Sequence, residues 1–100
     1  MNDERRKIGS VSPDERDEIK RLYERKNALA ELFRSLVGMP DSETANSGVY
    51  ERLVKDMGET STQFQDWWDD KSAKYNWENL RGYSWEIDFR TGDIYLRRQG

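Results

Sequence analysis

The chain has 100 residues, 34% of them hydrophobic and 37% charged, with a net charge of −3. That length predicts a single domain with a thin core, and twelve aromatics, four of them Trp, supply bulky apolar surface that a disordered chain lacks. With neither His nor Cys, imidazole acid–base catalysis, Ser–His and Cys–His nucleophiles, zinc sites built on those ligands and disulfides are all excluded.

Met1 to Ser10 is rich in charge, with Arg5-Arg6-Lys7 at its centre, and predicts a flexible charged arm, residues 1–11, ahead of one α+β domain over 12–100. A helix start follows. Ser12 stands at the N-cap, Pro13 at the first helical position and Glu15 three residues after the cap. Ile19, Leu22, Leu29, Phe33 and Leu36 recur at three- and four-residue steps, interrupted at Lys26. Gly38 and Pro40 end the pattern, so the first helix is expected over about Pro13 to Val37.

Asp41 to Gly48 is small and polar and reads as a loop. A second helix is expected from about Ser47 to Tyr75, with the stripe Tyr50, Leu53, Met57, Phe64, Trp68 and Tyr75, widened by Val54 and Trp67. Two long helices joined by a short connection favour an antiparallel hairpin. In that pairing Lys26 falls opposite the polar stretch Glu59 to Gln63, which suits a polar layer that fixes register, or a buried polar ligand site.

The period then changes from helical to alternating. Trp85-Glu86-Ile87-Asp88-Phe89 and Ile94-Tyr95-Leu96-Arg97 alternate apolar and polar residues around Thr91-Gly92. A two-residue turn there sets Phe89 opposite Ile94, Ile87 opposite Leu96 and Glu86 opposite Arg97, with every apolar residue but Tyr95 on one face. The expected fold is thus α+β, a long antiparallel two-helix hairpin followed by a C-terminal β-hairpin packed on it.

Charge is uneven along the chain. Residues 41–80 carry four basic and nine acidic groups, against nine and eight in residues 1–40. An acidic middle argues against direct nucleic-acid binding, which needs a basic face. No apolar run approaches the roughly 20 residues that cross a bilayer; no membrane partner and a cytoplasmic setting are expected. Asp66, Asp69 and Asp70 on one helix do not match the spaced pattern of a calcium loop, so no metal and no cofactor are expected. They form either a solvated face or an acidic stripe that meets a basic partner. Adjacent Trp67 and Trp68 point about 100° apart on a helix, so either both pack or one is exposed as an interface anchor.

Nine of the twelve aromatics lie between Phe64 and Tyr95. The candidate partner-binding residues are therefore Trp67, Trp68, Asp66, Asp69, Asp70, Trp77, Trp85 and Tyr95, with no catalytic residues among them. A free hairpin edge would accept an extended peptide, and the Trp cluster would supply its side-chain pockets.

Three segments together carry a resemblance: Glu24-Arg25-Lys26-Asn27-Ala28-Leu29-Ala30-Glu31-Leu32; Leu53 to Thr60 with Phe64 to Tyr75 and Trp77; and Trp85 to Phe89 with Ile94-Tyr95-Leu96. In that order the chain, from about Ser10 to Leu96, resembles small accessory proteins of bacterial CXXX-repeat peptide modification systems, and related uncharacterised small proteins of bacteria and their mobile elements. The resemblance implies a non-catalytic helper beside a peptide-modifying enzyme. The chain has no CXXX repeat and so is not the modified peptide. The expected function is a non-enzymatic protein-binding module, an adaptor for a protein or peptide partner. The alternatives are an inhibitor of the anti-CRISPR type encoded by a phage or mobile element, whose acidic face blocks a nucleic-acid-binding protein, and a homodimer formed through the long helices.

Overall fold

A computed structural model describes residues 5–37 and 48–99. Its elements are strand β1 (Arg5–Ser10), helix α1 (Pro13–Val37), helix α2 (Val49–Tyr75), strand β2 (Tyr83–Asp88) and strand β3 (Asp93–Arg98). The three strands form one antiparallel sheet in the order β1-β3-β2. The class is α+β, with an antiparallel helical hairpin and a C-terminal β-hairpin, as the two periodicities require. The chain separates into two compact units, residues 1–20 with 67–100, and residues 21–66.

The first unit holds the sheet, the opening turns of α1 and the end of α2. Helix α1 starts on a reciprocal capping box: the Glu15 amide donates to Ser12 Oγ (3.2 Å) and the Ser12 amide donates to Glu15 Oε1 (2.9 Å). Helix α2 ends where Asn76 adopts a left-handed conformation (φ 53°) and the Trp77 amide donates to the Ser72 carbonyl (3.0 Å). That reversal turns Trp77 back onto the rings of α2.

The N-terminal segment departs from the expected flexible arm. Arg5–Ser10 is a strand, paired with β3 from Arg5↔Arg97 to Ser10↔Asp93 with a bulge between Lys7 and Gly9. Only Ile8 is apolar in it, so hydrophobic alternation gives no strand signal. What holds it is the β3 ladder and side-chain pairing: Arg5 with Glu86 (3.1 Å), Arg6 with Glu78 (2.7 Å) and Lys7 with Asp93 (3.1 Å).

The hairpin register also differs from the two-residue turn. Ile87 lies opposite Ile94, Trp85 opposite Leu96 and Glu86 opposite Tyr95, a slip of two residues on one strand. Strand β2 stops at Asp88, whose carbonyl accepts from the Thr91 and Gly92 amides (3.2 and 2.7 Å) and whose Oδ1 accepts from the Arg90 amide (2.9 Å). Gly92 has φ +83°, and a Cβ there would lie 3.1 Å from the Val11 carbonyl. The loop therefore spans residues 89–92. A slip of two keeps every side chain on its face, so Trp85, Ile87, Ile94 and Leu96 still share the inner face.

The second unit is the helical pair itself, residues 21–37 of α1 against 49–66 of α2. Phe33 meets Tyr50 (ring centroids 5.5 Å) and Tyr23 meets Phe64 (6.4 Å), which sets the antiparallel register. Its interior is sparse: Leu53 and Thr60 are its buried side chains. The polar layer forms with Arg25 in place of Lys26. The Arg25 guanidinium donates to Thr60 Oγ1 (3.2 Å) and approaches Asp56 (3.9 Å), while Lys26 is exposed with its ammonium 4.7 Å from the Phe64 ring centroid. The loop expected at Asp41 to Gly48 and the helix stop at Gly38 and Pro40 lie, apart from Gly48, outside the described residues.

Candidate functional site

The Trp residues come together as expected, but as a core. Trp67, Trp68 and Trp77 are 4%, 8% and 8% exposed. Trp67 meets Trp68 edge-on at 5.0 Å, Trp68 stacks on Trp85 at 6.1 Å, and Trp77 stacks on Tyr75 at 5.6 Å. Neighbouring positions on α2 can both be buried because Trp77, Trp85 and the sheet close over two sides of the helix end. The alternative of one Trp standing out as an interface anchor is thus overturned for this pair. The Trp85 Nε1–H donates to the Glu78 carbonyl (2.8 Å) and Trp85 is half-buried. Trp67 Nε1 is buried without a hydrogen-bond acceptor, a cost offset by the ring burial around it.

Gly9 in the β1 bulge makes that packing possible. A Cβ at Gly9 would sit 3.0 Å from Trp77 Nε1. The pockets imagined for a peptide's side chains are therefore already filled by the protein's own rings. The β3 edge of the hairpin is occupied by β1, which leaves β2 as an outer strand.

Tyr95 lies on the outer face of the sheet. The Arg5 guanidinium stands 4.0 Å from its ring centroid. Glu86 binds Arg5 and Arg97, both at 3.1 Å, and Lys7 draws the Asp93 carboxyl below its ordinary value. This face is a lattice of satisfied charges.

Asp66, Asp69 and Asp70 are all exposed on α2, and Lys71 pairs with Asp70 (2.9 Å). Among the described residues no group of three or more acidic side chains is placed to hold a metal ion. A hollow of about 480 Å³, wide open to solvent, is lined by Lys55, Gly58, Glu59, Thr62 and Gln63, all on the polar face of α2.

The most perturbed titratable group is one that the sequence marks only as a cap. Glu15 is buried, and burial alone pushes its carboxyl up. Hydrogen bonds from Lys74 Nζ (2.6 Å), Tyr75 Oη (2.5 Å) and the Ser12 amide, with the Lys74 charge, outweigh this and hold it at about 2. The same hydrogen bonds raise the Lys74 and Tyr75 values. Glu15 ties the start of α1 to the end of α2.

The helical pair exposes apolar side chains that are not among the candidate partner-binding residues. Roughly 100° per residue places Tyr23, Ala30 and Val37 on one side of α1, and Tyr50, Val54 and Met57 on the matching side of α2. Tyr23 is 42% exposed, Val54 44% and Val37 58%. The other side carries Arg25, Asp56 and Thr60, and exposes Leu32 and Val49. The signal was in the sequence, since Val54 widens the stripe of α2 beyond what one antiparallel neighbour covers.

Compared with protein-family models, with curated proteins and with solved structures, the chain matches none.

Proposed function

We propose that this chain is a non-enzymatic protein-binding module whose partner docks on the apolar side of the helical pair, α1 residues 23–37 and α2 residues 50–57. The observation that carries this is the exposure of Tyr23, Val37, Tyr50 and Val54 along one side of the helical pair. An apolar stripe rimmed by polar residues is the ordinary form of a helix-in-groove or helix-on-helix interface. The absence of His and Cys supports a binding role over catalysis. The resemblance to accessory proteins of peptide modification systems supplies a setting for such a role, beside a peptide-modifying enzyme.

The test uses the immobilised chain to select binders from a displayed random-peptide library. Binders are expected to be amphipathic helices, and Val54→Lys is expected to lose them while keeping the wild-type far-UV circular dichroism. Binders that hold Val54→Lys as tightly as wild type would sink the proposal. The exposure of Asp66, Asp69 and Asp70 favours a second reading, an inhibitor that sets this acidic surface against a nucleic-acid-binding protein. Binding of that kind weakens steeply with salt and competes with nucleic acid, whereas binding at the apolar side does neither.

A further inference from the structure

We infer that β1 is an intramolecular occupant of a peptide-binding edge on β3, and that an extended basic segment of a partner protein takes its place. This edge belongs to the sheet unit, so the inference goes beyond the helical-pair reading and does not depend on it.

The edge is complete without the strand that lies on it. Ile94 and Leu96 of β3 are 0% and 1% exposed, and β3 pairs with β2 along its whole length, from Asp93↔Asp88 to Arg98↔Tyr83. In β1, by contrast, no residue is buried; four are exposed and two are half-buried. Its ladder is interrupted by the bulge between Lys7 and Gly9. Its three ion pairs use basic side chains that are 39–59% exposed, where screening leaves little stabilisation. The first buried residue after it is Val11, whose amide donates to the Gly92 carbonyl (2.9 Å). β1 can thus leave while Val11 stays anchored. A segment with few buried contacts opens more readily than the core it lies on.

What β1 meets on this edge defines what else fits there. Backbone pairing accepts any extended chain and supplies affinity, and side chains set specificity. Three acids from three places in the fold converge on successive basic residues: Glu86 of β2 on Arg5, Glu78 between α2 and β2 on Arg6, and Asp93 of β3 on Lys7. The Arg5 guanidinium also stands 4.0 Å from the Tyr95 ring centroid. Two residues beyond Lys7, a Cβ added to Gly9 would lie 3.0 Å from Trp77 Nε1. The occupant is therefore an extended segment with three consecutive basic residues and, two positions on, a glycine. A tethered strand competes at an effective concentration on the order of millimolar, so β1 keeps the edge closed until it is loosened.

Fluorescence anisotropy with a labelled peptide of the sequence Arg5–Val11 tests this on three full-length chains: wild type, Gly9→Val, and the double variant Lys7→Cys with Tyr95→Cys. Gly9→Val loosens β1 by crowding Trp77. Lys7 and Tyr95 are register partners in a chain with no cysteine of its own, so oxidation of the double variant locks β1 in place. The peptide is expected to bind Gly9→Val at least tenfold more tightly than wild type, to leave the oxidised double variant unbound, and to bind it once reduced. A peptide of scrambled sequence is expected to bind Gly9→Val at least tenfold more weakly. Equal affinity for wild type and Gly9→Val overturns the inference. So does equal binding of the scrambled peptide, which would reduce the contact to charge alone. Loss of the native circular dichroism in Gly9→Val also overturns it, because β1 would then be integral to the fold. Cross-linking between mixed single variants, Lys7→Cys and Tyr95→Cys, would seat a second copy's strand on the edge and overturn a partner protein as its occupant. If the double variant does not oxidise, the comparison of Gly9→Val with wild type decides. None of these outcomes bears on the test at Val54, so the two readings stand or fall separately.

Discussion

Glu15 shows how one residue can hold a local and a tertiary role together. Its place three residues after Ser12 makes it a capping residue, and any sequence with this spacing predicts that much. Its hydrogen bonds to Lys74 and Tyr75, 59 and 60 residues away, are set by the fold. The carboxyl is lowered from 4.5 to about 2, so the stabilisation it gives is fully present above pH 4.5 and is lost as pH falls through 2. The shift corresponds to roughly 2–3 kcal/mol once discounted for the solvent around Lys74, which is more than half exposed. Glu15→Gln keeps the capping geometry and removes the charge. Urea unfolding should show it less stable than wild type at neutral pH, with the gap closing between pH 4.5 and 2. A gap that did not depend on pH would mean that packing, and not the charge, is what Glu15 contributes.

At the scale of elements, two glycines with unlike surroundings separate backbone propensity from packing. Gly9 sits in the bulge of β1 under Trp77, whose Nε1 would lie 3.0 Å from an added Cβ. Gly58 is in the interior of α2 with nothing within 4 Å of an added Cβ. Gly9→Ala should therefore destabilise by about 1–3 kcal/mol through overpacking, while Gly58→Ala should stabilise by about 0.5–1 kcal/mol through helix propensity. Urea midpoints moving in opposite directions would bear this out, and a stabilising Gly9→Ala would refute the packing of β1 on Trp77. The helices were legible element by element. Ser12-Pro13 opens α1, and the apolar steps carry both helices to within two residues of their bounds. β1 was not legible, because a strand with one apolar residue gains its place from backbone pairing and from acids more than 70 residues away.

At the scale of the whole molecule, burial is divided unequally between the two units. Rings and aliphatic side chains close the sheet unit, from Val11 and Ile19 to Ile94 and Leu96, whereas the helical pair buries Leu53 and Thr60. Local stability follows burial. Amide hydrogen exchange should find the strongest protection in β3, the central strand, and weaker protection in residues 21–37 and 49–66. Uniform protection would contradict the thin core of the helical pair. The contrast bears on function, since a helix pair with exposed apolar surface gains most from being covered.

The sequence by itself determined what is local or compositional. It excluded imidazole and thiol chemistry by lacking the residues, and it placed the helix cap and both helical stripes through spacing of three and four. It set the face of each hairpin residue through alternation, which a register slip of two leaves intact. Only the tertiary structure decided the rest. It enclosed Trp67 and Trp68 together, moved the polar layer from Lys26 to Arg25, recruited β1, and left Tyr23, Val37 and Val54 of the helical pair exposed. The physical reason is the same in each case. Burial, pairing and register depend on which distant groups arrive, and a linear pattern records only what each segment offers them.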